Sequence, residues 1–143
     1  MKTKFTYPKV SIINPELAYS ISKEYIAYSA VDIISHVIEP YFTQNHGSEL
    51  QDGIMESVIR ATIYSTNKIL KNNKDYSAWA ENIWAAALAH SGLAIIGVGG
   101  HRYPNHLIEH SLSALYNIAH GAGLSIIMPA WMKWNIQNNI DRY

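Results

Sequence analysis

Apolar and polar positions along most of the chain alternate at helical spacing. From Ser20 or Ser22 onward, Ile21, Tyr25, Tyr28, Asp32, Ser35 and His36 share a helical face, with Ile34 and Ile38 on a neighbouring row. Pro40 predicts a stop or kink near Glu39, because proline lacks the N–H and crowds the preceding turn. A polar turn, residues 43–48, leads to a second predicted helix over 49–71, with Leu50, Ile54, Val58 and Ile69 on its apolar face. Lys71 and Lys74 suit the negative end of that helix. Asp75 or Ser77 then caps a third, strongly apolar helix reaching about Ile96, whose alanines at 85–87 and 89 permit close packing. Three glycines within residues 97–100 predict a break. Pro104 suits the first turn of a fourth helix running to about Asn117. A fifth starts at His120 or Gly121 and runs towards Asn135, with a kink expected at Pro129.

Residues 9–13 depart from this pattern. Lys9-Val10-Ser11-Ile12-Ile13, stopped by Asn14-Pro15, reads as a short buried strand. No other segment reads as its partner, and a lone strand cannot satisfy its own backbone groups, so a sheet outside this sequence is expected to receive it. The expected fold class is all-α. A helical domain spans 16–143, and 1–15 carries one orphan strand left from an N-terminal unit. The end at Tyr143 lacks helix punctuation, so the domain is expected to be incomplete there.

Composition narrows the functions. Apolar residues make up 48% of 143 and charged residues 15%, which excludes disorder for the bulk of the chain. Eleven basic and eleven acidic side chains cancel, so no net charge draws nucleic acid or an anionic membrane. The absence of cysteine removes disulfides, thiolate metal sites and cysteine nucleophiles. The most apolar stretches, 83–98 and 121–134, are interrupted before reaching the ~18 residues a membrane span needs. No signal-peptide pattern opens the chain. A cytoplasmic location is therefore expected. Seven histidines stand out against so few charges.

Asp32 and His36 lie four apart on a predicted helix and project from one face, as do His106 and His110. A carboxylate with imidazoles at such spacings can hold one divalent cation. An isolated D-x-x-x-H is more often a plain hydrogen-bonded pair. By spacing alone, the simplest site joins Asp32, His36, His106 and His110, and a different choice replaces His110 with His120. On one continuous helix the 14 residues from His106 to His120 would cover ~21 Å, so the second choice needs a reversal between Asn117 and Gly121. The sequence there permits a turn, and spacing does not decide. His90, in an apolar helix, reads as a core histidine, and His46 as solvated. Glu39 and Glu109 read either as acceptors that hold imidazole tautomers or as surface charges, with the second reading favoured. Residues 97–100 lack the strand and spacing of a phosphate loop and read as a hinge. No serine has a G-x-S-x-G context.

Two segments carry more than generic spacing. Asn14-Pro15-Glu16-Leu17, followed by Ala30-Val31-Asp32-Ile33-Ile34-Ser35-His36-Val37-Ile38-Glu39, resembles the first signature of iron-dependent (group III) alcohol dehydrogenases. His106-Leu107-Ile108-Glu109-His110, continuing through Asn117-Ile118-Ala119-His120-Gly121-Ala122-Gly123, resembles the second. The run from Leu124 to Trp134 resembles the butanol dehydrogenase branch. The resemblance implies one divalent metal, Fe²⁺ or Zn²⁺, held by Asp32, His36, His106 and His120. It places His110 beside the metal, in contact with substrate or cofactor or in proton transfer. It further implies hydride exchange between NAD(P)H and a small alcohol or aldehyde, with the nicotinamide cofactor held by an N-terminal domain that precedes this region. The chain is then expected to bind metal but not to transfer hydride alone. Two other readings remain: a glycerol dehydrogenase-like enzyme of the same fold, whose metal is normally held by fewer histidines, and a non-catalytic helical metal-binding module. Faces that meet the rest of such an enzyme could also drive self-association.

Overall fold

The computed structural model describes residues 5–6, 8–137 and 140–143. Five α-helices account for most of them: α1 (Lys23–Thr43), α2 (Glu49–Lys71), α3 (Tyr76–Ser91), α4 (Pro104–Tyr116) and α5 (His120–Asn135). Short 3-10 turns occupy Pro15–Ala18, Leu93–Ile95 and Ile140–Arg142. The three N-terminal helices start as the sequence predicts. Ser22 accepts the Tyr25 N–H, Ser48 accepts that of Gln51, and Asp75 accepts that of Ala78, each satisfying a donor in a first turn.

Helix α1 is central. It packs against α2 and α3 on one side and against α5 on the other, and α4 lies along α5. Ile33 and Val37 of α1, Met55 and Val58 of α2, and Ala85 and Ala89 of α3 close the main core, with Ala94 and Val98 beneath the glycine-rich turn. A smaller cluster joins Ala18, Ile26, Ile69, Ala78 and Trp79, and the Trp79 indole donates to the Asn73 carbonyl at 2.8 Å. The buried row of α1 therefore runs through Ile26, Ala30, Ile33 and Val37, while Ile21 and Tyr25 of the predicted face stay exposed. Leu50 of α2 is likewise exposed.

Two boundaries differ from expectation. α1 continues a turn beyond Pro40, which is fully buried and whose carbonyl accepts the Gln44 N–H, so the helix ends there instead of at Glu39. α3 stops at Ser91, because Gly92 takes φ +84°, a left-handed conformation that suits glycine and ends the helix five residues early. α5 runs from His120 to Asn135, as expected, with Pro129 inside it.

Residues 9–13 form no strand within this chain. Val10 and Ile12 are largely exposed, and no strand occurs among the described residues to pair with them. Residues 1–4 and 7 of the expected N-terminal remnant lie outside those described. The break at 97–100 does form: Gly97 and Gly100 take positive φ, and Gly99 pairs with the exposed His46 in an isolated backbone bridge.

Candidate metal centre

The site gathers where α1 faces the start of α4 and the start of α5. Asp32 and His36 are one turn apart on α1, and His106 sits in the first turn of α4. His120 arrives through a reversal: α4 ends at Tyr116, Asn117 adopts left-handed φ 51° and ψ 40°, and α5 begins at His120 itself. The turn that spacing could only permit is therefore formed.

One oxygen of Asp32 is approached by three imidazoles. Its Oδ1 lies 3.6 Å from His36 Nε2, 3.4 Å from His106 Nε2 and 3.4 Å from His120 Nε2. Asp32 Oδ1 and His106 Nε2 are buried without a hydrogen-bond partner among the described residues. A buried polar atom left unpaired is costly unless something completes it. Donors bound to one four-coordinate cation at about 2.0–2.2 Å stand roughly 3.3–3.6 Å apart, which matches these separations. One carboxylate with three imidazoles also suits Fe²⁺ or Zn²⁺. The donor set fits a divalent metal.

Two buried glutamates aim the imidazoles. Glu39 of α1 is fully buried, and its Oε1 takes a 2.7 Å hydrogen bond from His106 Nδ1. The same carboxylate accepts the Asn105 N–H at 3.0 Å and the His106 N–H at 3.3 Å, so a side chain of α1 caps α4, which has no side-chain cap at Tyr103. Glu109, also fully buried, bonds His120 Nδ1 through one oxygen and the Ser113 hydroxyl through the other. With Nδ1 engaged in each ring, Nε2 is the atom presented to the site. The sequence reading favours surface charges for both glutamates, and the structure buries them. The signal for their role is helical spacing: Glu39 lies seven residues after Asp32, and Glu109 three after His106.

His90 also departs from expectation. It is no core residue: its side chain is 41% exposed, its Nε2 lies 3.3 Å from Asp32 Oδ2, and its ring lies 4.1 Å from that of His36. His110 is exposed on α4, with its ring 5.4 Å from His120 and 6.2 Å from His106. Among the described residues, Asp32 pairs with His36, His90, His106 and His120 and not with His110. His36, His90, Tyr103, His106, Leu107 and His110 line a cleft of about 560 Å³ beside the group. His101 is held away by a 2.9 Å bond from its Nδ1 to the Val98 carbonyl.

The electrostatics follow from this crowding. Burial alone would raise the Asp32 carboxyl, but His106, His90 and His36 together outweigh it and hold the group far below the usual carboxylate range. Burial would lower His106, yet Asp32 and Glu39 push it up to about 9. His90 is raised, chiefly by its hydrogen bond to Asp32. The carboxylates of the site thus draw protons onto the imidazoles or, in their place, a cation.

Comparison with known proteins agrees with this architecture. Residues 26–143 match the model of the Fe-containing alcohol dehydrogenase family, C-terminal part. The crystal structure of an NADH-dependent butanol dehydrogenase A from Thermotoga maritima superposes with a TM-score of 0.93 and 44% identity, covering 98% of this chain and 35% of that one. The NADH-dependent butanol dehydrogenase A of Clostridium acetobutylicum is 36% identical over 132 residues, 92% of this chain and 34% of the relative. An NADPH-dependent aldehyde reductase of Escherichia coli is 29% identical over 135 residues, 94% of this chain and 34% of its own length. The chain thus spans about a third of the length of the curated relatives it matches. No helix among the described residues is long and apolar enough to cross a membrane.

Proposed function

The chain belongs to the Fe-containing alcohol dehydrogenase family, and from that premise we propose that it carries the metal site of an enzyme moving hydride between NAD(P)H and a small alcohol or aldehyde. Asp32, His36, His106 and His120 hold one divalent cation, Fe²⁺ or Zn²⁺. The observation that carries this reading is the approach of three Nε2 atoms, those of His36, His106 and His120, to within 3.4–3.6 Å of the single oxygen Asp32 Oδ1. When bound, such a cation acts as a Lewis acid towards an alcohol or carbonyl oxygen. The nicotinamide supplies the hydride chemistry, and a nucleotide-binding unit outside these 143 residues holds it.

The remaining roles fall to this chain's own side chains. Glu39 and Glu109 keep His106 and His120 in the tautomer that offers Nε2. His110, exposed at the cleft and next to His120, contacts substrate or cofactor and can exchange a proton through its ring. Leu107 and the half-buried Tyr103 give the cleft an apolar wall suited to an alkyl chain and to excluding water. A cytoplasmic location accompanies this reading.

Metal content tests the proposal. After loading with Fe²⁺ or Zn²⁺ and desalting, the wild-type chain is expected to retain one equivalent, measured by elemental analysis. His120→Ala should lose it and His110→Ala should keep it. Loss in His110→Ala with full retention in His120→Ala would reverse the ligand assignment. A chain that retains no metal at all would overturn the function.

A further inference from the structure

The two oxygens of Asp32 have different surroundings. Oδ1 faces His36, His106 and His120 and accepts no hydrogen bond, whereas Oδ2 is bonded to His90 Nε2 at 3.3 Å. His90 is itself pinned. Its Nδ1 lies 2.8 Å from the Ala86 carbonyl oxygen, one turn back on α3, and its ring lies against His36 at 4.1 Å. α3 thereby reaches across to α1 at the one carboxylate of the four-residue donor set.

A carboxylate can bind a cation through one oxygen or two. With two, Asp32 would occupy a further coordination position, and catalytic metal sites keep such a position open for substrate. We infer that His90 is a positioning residue: by occupying Oδ2 from a fixed rotamer, it restricts Asp32 to one-oxygen ligation and leaves a coordination position to the substrate. This role rests on the proposed reading that a cation sits against Oδ1. It falls to a half-exposed residue on a helix that supplies none of the proposed ligands.

Cobalt serves as the probe, because the intensity of its visible bands reports coordination number. Full-chain wild type, His90→Ala, His90→Leu and His90→Gln are titrated with Co²⁺ against a competing chelator, with folding followed by far-ultraviolet circular dichroism. Wild type is expected to bind one Co²⁺ with bands more intense than those of a six-coordinate ion. His90→Ala and His90→Leu should bind about 10- to 100-fold more weakly, the range typical when a ligand's hydrogen-bond partner is removed. Their bands should weaken as Asp32 turns both oxygens to the metal. Gln carries an amide N–H able to reach Oδ2, so His90→Gln should recover the wild-type spectrum and most of the affinity. His90→Leu keeps side-chain bulk without a donor, so the Leu and Gln pair carries the test if the alanine variant fails to fold. Wild-type spectra and affinity in the Leu variant, or no recovery with Gln, overturn the role of His90 while the metal site stands. A wild-type chain that takes up no cobalt overturns both.

Discussion

Glu39 shows how a single side chain couples the fold to the site. Its carboxylate, without solvent exposure, accepts from His106 Nδ1 and from two backbone N–H groups at the start of α4. Glu39→Gln keeps the shape but sets an amide N–H₂ against one of those donors. The expected cost is about 1–3 kcal/mol in the metal-free protein, read from denaturant melts. Metal affinity should fall about 10- to 100-fold, read by chelator competition. Glu39→Ala should destabilise further, since it leaves all three donors unpaired. Unchanged affinity in Glu39→Gln would remove its role in aiming His106. The pairs Asp32–His36 and His106–His110 are legible in the sequence because a helix places i and i+4 on one face. Two things are not. The approach of His120 to Asp32 depends on one left-handed residue, Asn117, and the burial of Glu39 and Glu109 depends on helices that meet only in the folded chain.

At the level of elements, α5 must approach α1 closely enough for His120 to reach Asp32. The contact is made at Gly121, where an added Cβ would lie 2.1 Å from the Tyr28 carbonyl oxygen. That neighbour is backbone and cannot rotate away. Gly121→Ala should therefore push α5 off α1, costing about 1–3 kcal/mol or more and withdrawing His120 from the donor set. Gly53, inside α2, is the contrasting case: a Cβ added there would meet nothing within 4 Å. Gly53→Ala should raise stability by about 0.5–1 kcal/mol through helix preference alone. Thermal melts and metal titration of the two variants separate close approach from propensity, and equal responses would contradict the argument. The helices themselves are readable from caps and spacing, α2 to the residue at both ends. Their docking is not, because the small residue that permits it carries no apolar signal. The same gap explains the misplaced face of α1: a central helix buries more than one row, and periodicity alone does not rank them.

Across the whole molecule, the last described residues fold back onto the first helix pair. Arg142 binds both oxygens of Asp52 on α2, at 2.7 and 3.1 Å, and donates to the Tyr41 carbonyl at the end of α1. Its guanidinium lies over the Tyr41 ring, and Tyr143 stacks on Phe42 at 3.9 Å. This clasp makes stability depend on pH with a definite sign. The Arg142 hydrogen bonds lower the Asp52 carboxyl below its ordinary 3.8, against a smaller opposing effect of burial. A carboxyl depressed in the folded state contributes its full stability above the unfolded value and loses it as pH falls through the folded one. Arg142→Ala should therefore lower stability by about 1 kcal/mol near neutral pH, a modest figure because the pair is partly exposed. The difference from wild type should shrink once the solution is acid enough to protonate Asp52. Melts of both proteins at about pH 7 and about pH 2–3 read this directly, after subtracting the general acid destabilisation common to both. A gap that stays constant or widens in acid would mean that Arg142 holds the C-terminal residues through Tyr41 and packing alone, with the Asp52 charge contributing nothing.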